Sequence, residues 1–144
     1  MAKLNYNEQD LRFWAQTVSR EFYEIVYSDD WFKEIFKSIQ KEFITSQQAD
    51  FALGALGGPK NYSGRSPADA HIHIFVDEEM WQYRENLLKQ AFEKVNCPED
   101  IRAQWLRVDE AFKKSMVMKS PSECQKRYAT DELIIVPNPL KKAG

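Results

Sequence analysis

Histidine, cysteine and glycine are all scarce in this chain: two, two and five among 144 residues, with six prolines. The cysteines, Cys97 and Cys124, are too few for a disulfide framework and match no metal-ligand spacing, which fits a reducing compartment. No run approaches the ~20 apolar residues that a membrane-spanning helix needs. The amino terminus turns polar at once, without an apolar signal core. A soluble, cytoplasmic protein with no membrane partner is therefore expected. Neither charge dominates, with 20 Lys and Arg against 22 Asp and Glu. Without a basic stripe to displace counterions from phosphate, nucleic acid is not an expected partner. The sequence also lacks a Walker loop, a nucleophile elbow and a Gly-x-Gly-x-x-Gly turn. Gly57-Gly58-Pro59 follows a helical pattern rather than a strand, so it is not a phosphate loop.

What is present is apolar periodicity. Hydrophobic residues make up 43% and aromatics 13%, enough for the core of one domain. Leu11, Trp14, Ala15, Val18, Phe22, Ile25 and Val26 form a 3.6-residue stripe, which predicts one helix from Glu8 to about Tyr27. Ser28-Asp29-Asp30 reads as a stop and a new N-cap before a short apolar segment, Trp31 to Ile39. A third helix is expected over Phe43 to Leu56, ended by Gly57-Gly58-Pro59. Lys60 to Pro67 has loop chemistry, and a short helix is expected from Ser66 or Pro67 to about Ile72. Asp77 is the expected N-cap of a long helix to Val95, and Pro98 opens a last helix through Met116. Leu133 to Val136 is a β-favouring run, an extended tail packed on the body or an edge for a partner. The expected class is all-α.

Few residues could carry chemistry. His71 and His73, one residue apart, fall on different faces of a helix, and no carboxylate- or cysteine-rich spacing completes a metal site with them. A single imidazole suits haem, where the porphyrin supplies the other nitrogens. Taken alone, a histidine on a short helix is more often structural or surface-exposed. Phe22, Tyr23, Phe32, Phe36, Phe43, Phe51, Phe75 and Trp81 could wall a flat apolar cofactor, although such stripes are commonly plain core. Tyr23 adjoins Phe22 on the apolar stripe, and a buried phenol must find a partner; Gln47 or Gln48 could supply one if either faces inward. Asp77-Glu78-Glu79 and Asp109-Glu110 read as helix-start and solvent-face charges. Cys97 precedes the Pro98 helix, whose dipole would lower its pKa, but no base lies nearby.

Phe22-Tyr23, Ser28-Asp29-Asp30, Ile35-Phe36, Gln48-Ala49-Asp50-Phe51, Leu56-Gly57-Gly58-Pro59, Tyr62-Ser63-Gly64-Arg65 and Ala70-His71, in this order and spacing, resemble the truncated haemoglobins, short globins of bacteria and protists. The resemblance runs from about Glu21 to His71, about a third of the chain. It implies a globin-like, 2-over-2 helical fold around haem b, over residues 1–120, with residues 121–144 as a C-terminal extension packed on the body or partly mobile. By the same resemblance His71 is the proximal iron ligand and Tyr23 the distal hydrogen-bond donor. Gln48 takes the second distal polar position, with Gln47 beside it and Ile44 one turn earlier. Phe22, Phe36 and Phe51 would line the haem, with Phe75 and Trp81 as further pocket aromatics. Lys60, Tyr62 and Arg65 would meet the propionates.

Two departures stand out. The glycine pair that usually separates the family's first two helices is missing, and the tryptophan after the proximal histidine is differently spaced. His73 is too near His71 to serve opposite it, so the sixth position would be open or held by water, hydroxide or Tyr23. The function this implies is binding of a diatomic gas: O2, NO or CO. A haem-dependent NO dioxygenase or peroxidase served by a reductase is one alternative. A haem-free helical interaction module, using Trp31-Phe32 or Leu133 to Val136, is the other. A monomer or weak homodimer is expected.

Overall fold

In a computed structural model, which describes residues 5–60 and 71–139, Asn7 caps the first helix by accepting a 2.8 Å hydrogen bond from the Asp10 N–H. That helix, α1 (Glu8–Ser28), is unbroken over 21 residues, as the missing glycine pair predicts. It buries Leu11, Ala15, Val18, Ser19, Phe22, Tyr23 and Val26. This arc is wider than the stripe of large apolar residues, because Ser19 and Tyr23 turn inward beside it. Asp29 then ends α1 and starts the next turn: its carboxylate accepts from the N–H groups of Trp31 and Phe32 at 3.0 and 2.9 Å. The following helix, α2 (Phe32–Phe36), is shorter than its apolar run suggested. The Ile39 N–H turns back to the Phe36 carbonyl at 2.9 Å, and the Ile39 carbonyl accepts from the Tyr27 hydroxyl at 2.7 Å.

Helix α3 (Lys41–Ala55) starts two residues earlier than expected and stops where the glycines lie. Gly57 adopts φ +99°, a left-handed conformation that glycine takes without a Cβ penalty. The Gly58 N–H reaches the Leu53 carbonyl at 2.9 Å, satisfying an orphan acceptor at the helix end. A Cβ on Gly58 would sit 2.5 Å from the Leu53 side chain, so that glycine is also required by packing. Helix α4 (Glu78–Lys94) is capped by Asp77, which accepts from the Met80 N–H at 2.9 Å. Pro98 precedes α5 (Glu99–Met116) at the cap position with ψ 144° rather than occupying its first turn; Pro φ suits either place. A 3-10 turn over Pro121–Glu123 follows.

Helix α1 packs on α2, α3 and α4, and α3 packs on α5. Trp81, Phe92, Leu88 and Ile101 lie in the fully buried centre, and the Phe92 and Trp105 rings meet edge to face at 5.6 Å between α4 and α5. Burying side chains of this size contributes roughly 1.5–3 kcal/mol each, so helix packing rather than helix propensity holds the body. Among the described residues there is no strand, only a parallel bridge between Ile74 and Ile134. Around it the β-favouring run alternates as an extended chain should: Leu133 and Ile135 are exposed, while Ile134 and Val136 pack on the core. No helix among the described residues is long and apolar enough to cross a membrane.

Candidate functional site

Tyr23 and Tyr27 sit one turn apart on α1 and differ in one respect. The Tyr27 hydroxyl is committed to the Ile39 carbonyl. The Tyr23 side chain is buried, 5% exposed, and its hydroxyl has no hydrogen-bond partner among the described residues. Aromatic rings surround it, with centroids at 4.9 Å for Phe22, 5.7 Å for Phe36 and 6.4 Å for Tyr27. Burial pushes the Tyr23 phenol well above the ordinary tyrosine range, with the Arg84 charge pulling the other way. The group is therefore a protonated donor at neutral pH, ringed by apolar side chains.

Behind this aromatic group lies an ionic cluster, of which the sequence pattern had put Asp109 on the solvent face. Arg84 Nη1 donates to Glu85 and to Asp109, both at 2.9 Å, linking α4 to α5. Its guanidinium also lies 5.4 Å from the ring centroids of Phe22 and Trp81. Glu85 and Asp109 are each only 8% exposed, so the reading of Asp109 as a solvent-face charge is corrected. The signal was present: Asp109 lies between Trp105 and Phe112, and Glu85 between Trp81 and Leu88, at helical spacings on apolar faces. Burial, with Asp109 alongside, pushes the Glu85 carboxyl up to about 7 despite Arg84. Two carboxylates around one cation leave one of them favouring its proton.

The other expected site residues distribute as follows. Ile44, Gln47 and Gln48 are half-buried on α3, and Ile44 packs against the core. Phe51 pairs with Phe112 of α5 at 5.7 Å. Phe43 points outward, 58% exposed, because it falls opposite the face carrying Ala49, Ala52 and Leu53. Trp81 is fully buried against Arg84 rather than lining an open face. Phe75 is half-buried, and its N–H donates to the Ile134 carbonyl at 2.8 Å. Lys60 is exposed, with its stem near Gly54. Tyr62 and Arg65 lie outside the described residues, as does the expected start of the short helix before His71.

His71 is half-buried, and its carbonyl accepts from the Ile74 N–H at 2.8 Å. His73 is buried and its Nδ1 is unpartnered; burial and then the Arg127 charge lower its pKa, against Asp131. Among the described residues no three His, Cys, Asp or Glu side chains gather as a metal site. Cys97 is buried, and burial pushes its thiol up to about 12. Desolvation there outweighs any helix dipole, which leaves the thiol without the activation that the helix start alone could offer.

Comparison with known proteins identifies the family and the fold. The sequence profile of the bacterial-like globins matches residues 12–118. Group 1 truncated hemoglobin of Tetrahymena thermophila is 44% identical over 50 residues, which are 35% of this chain and 41% of that protein. The Tetrahymena pyriformis protein of the same description is 40% identical over 50 residues, again 35% of this chain and 41% of its own length. The match thus spans about two fifths of these curated relatives. The Fe(III) crystal structure of the Tetrahymena pyriformis truncated hemoglobin superposes with TM-score 0.64 and 24% identity, over 73% of this chain and 90% of that one. A glutamine-to-glutamate mutant of the same protein gives TM-score 0.67 and 22% identity, over 79% and 100% of the two chains. At these identities the structures establish a shared fold.

Proposed function

The chain belongs to the bacterial-like globin family, and from that premise we propose that it holds haem b on His71 and binds a diatomic gas beside Tyr23. The residues present suit such a group. One half-buried histidine, with no metal-ligand cluster among the described residues, is the donor set that a porphyrin requires of a protein. The observation that carries the reading is the Tyr23 side chain: buried, ringed by Phe22, Phe36 and Tyr27, and with no hydrogen bond to its hydroxyl from the described residues, while the next tyrosine along the helix is satisfied.

Haem, when bound, supplies the iron at which O2, NO or CO is taken up. The protein supplies the surroundings. Tyr23 keeps its proton on Oη, because burial disfavours the phenolate, and offers it to a gas ligand carrying partial negative charge. Gln48, with Gln47 as its neighbour, is assigned to orient that phenol or add a second donor from α3. Phe22 and Phe36 exclude water from it. Phe51 and Phe75 are assigned to the apolar shell around the cofactor, with Trp81 behind them against Arg84, and Lys60, Tyr62 and Arg65 are assigned to its propionates.

The test is an absorption spectrum of the purified protein loaded with haem, in ferric, ferrous and CO-bound forms. A sharp Soret band that shifts with CO, and is lost in His71→Ala, is the expected result. Tyr23→Phe should keep the haem and raise the O2 dissociation rate roughly tenfold or more, the equivalent of one charge-stabilising hydrogen bond. An unchanged dissociation rate removes Tyr23 from the ligand; an unchanged axial spectrum in His71→Ala removes His71 from the iron.

A further inference from the structure

The segment between His71 and α4 draws its long-range backbone partners from the C-terminal chain. The Ile72 carbonyl accepts from Gln125 N–H at 2.9 Å, and the His73 carbonyl from Ile134 N–H at 2.8 Å. The Phe75 N–H donates to the Ile134 carbonyl at 2.8 Å, and the Val76 carbonyl accepts from Met118 N–H at 2.7 Å. Three of these four bonds use residues beyond the globin match, which ends at residue 118. The C-terminal chain is itself anchored. Trp31 Nε1 donates to the Val136 carbonyl at 2.8 Å, tying it to the corner between α1 and α2. Arg127 grips Asp131 through Nε and Nη2, at 2.8 and 2.9 Å, and the Arg127 N–H adds a third bond at 2.9 Å.

We propose that residues 117–136 form a strap that positions His71, fixing the backbone immediately after it so that the imidazole keeps one height and orientation. The inference rests on the reading of His71 as the haem ligand. Its physical basis is the short distance in chain from ligand to clamp. The His71 carbonyl is tied to Ile74, and Ile74 is the residue bridged to Ile134. Freeing Ile134 therefore frees a turn that begins at His71 itself. The helices α1, α3, α4 and α5 hold one another by side-chain packing, whereas this turn adds to the buried Ile74 and the packed Val76 a set of main-chain hydrogen bonds to the C-terminal chain. Arg127, Asp131, Ile134 and Trp31 are on this account positioning residues, remote from any bound gas.

Ile134→Pro removes the N–H that reaches His73 and leaves the carbonyl that Phe75 uses. In the full-length, haem-loaded ferrous protein, the iron–histidine stretching band read by resonance Raman should shift or broaden. Haem transfer to an excess of a scavenging apoglobin should accelerate roughly five- to tenfold, the loss of about one hydrogen bond. In the haem-free protein, amide exchange at Phe75 should accelerate while exchange in α1 stays unchanged. Trp31→Phe, which deletes the indole donor together with part of a buried ring, should change the same readouts in the same direction by less, and it serves if Ile134→Pro does not fold. A folded Ile134→Pro, or Trp31→Phe in its place, with the wild-type stretching band and haem-loss rate overturns the strap. If His71→Ala keeps a normal axial spectrum, the ligand assignment fails instead; faster Phe75 exchange would then show a clamp without a ligand to position.

Discussion

Arg84, in the helical body, meets two carboxylates, while Arg127, in the C-terminal strap, meets one. Arg84 uses a single nitrogen for both Glu85 and Asp109, and its charge lies against the rings of Phe22 and Trp81. Arg127 makes a two-nitrogen fork onto Asp131 and adds its own backbone N–H. The two groups therefore titrate in opposite senses. One cation cannot compensate two buried acids, so Glu85 is raised. A matched fork over-satisfies one acid: the Arg127 hydrogen bonds hold the Asp131 carboxyl well below the usual carboxylate range. Body and strap should respond differently to charge deletion and to pH, which separates their contributions.

The largest effect is expected from Arg84→Met. It leaves Glu85 and Asp109 buried without a cation and should cost about 3 kcal/mol in urea unfolding. Replacing all three, as Arg84→Met with Glu85→Leu and Asp109→Leu, should recover most of that, because the desolvation of every charge disappears together. A triple variant as unstable as the single one would mean that Arg84 acts through packing on Phe22 and Trp81 instead.

Next in size is the pH response of Glu85. The folded protein keeps this proton up to about 7, against an ordinary 4.5 in the unfolded chain. Between those values the folded state binds more protons, so stability is highest below the lower value and falls as pH rises. From pH 5 to pH 8 the wild type should lose about 2 kcal/mol more than Glu85→Gln. Parallel stability profiles for the two proteins would show that Glu85 is ionised throughout. Asp131 has the reverse sign. Its contribution is complete above the ordinary 3.8 and fades as pH falls into the acid range. Acid should thus loosen the strap first, seen as broadening of the Trp31 indole N–H resonance, and Asp131→Asn should show that broadening already at neutral pH.

The same contrast governs what could be read from the sequence. The body was legible because helices write themselves as periodicity: α1, α3, α4 and α5 follow their apolar stripes, and Asn7, Asp77 and Gly57 stand at the caps where their chemistry places them. Tyr23 was singled out by the neighbouring Phe22, and it is buried beside it. Glu85 and Asp109 were missed because an acid on an apolar face reads as a frayed stripe until its arginine is known, and Arg84 lies next to one partner and 25 residues from the other. The strap was not legible beyond its alternation. Main-chain hydrogen bonds between Ile134 and the residues after His71 carry no side-chain signature, so nothing in Leu133 to Val136 names its partner.

Arg12→Ala provides the smallest expected effect and the control for the comparison. Arg12 bonds Glu8 at 3.0 Å, a pair that matches Arg84–Glu85 in distance at 2.9 Å. The difference is solvent: the Arg12 and Glu8 side chains are 38% and 57% exposed, against 22% and 11% for Arg84 and Glu85. Water solvates both members of the outer pair when they part, so the deletion should change unfolding stability by no more than about 0.5 kcal/mol. It should also leave the pH slope untouched. If Arg12→Ala costs as much as Arg84→Met, pairing itself would be the stabilising quantity and the burial argument would fall. If it is near zero, the weight of Arg84 comes from the two acids it keeps company in the interior, and the pH response of the body is a property of that enclosure.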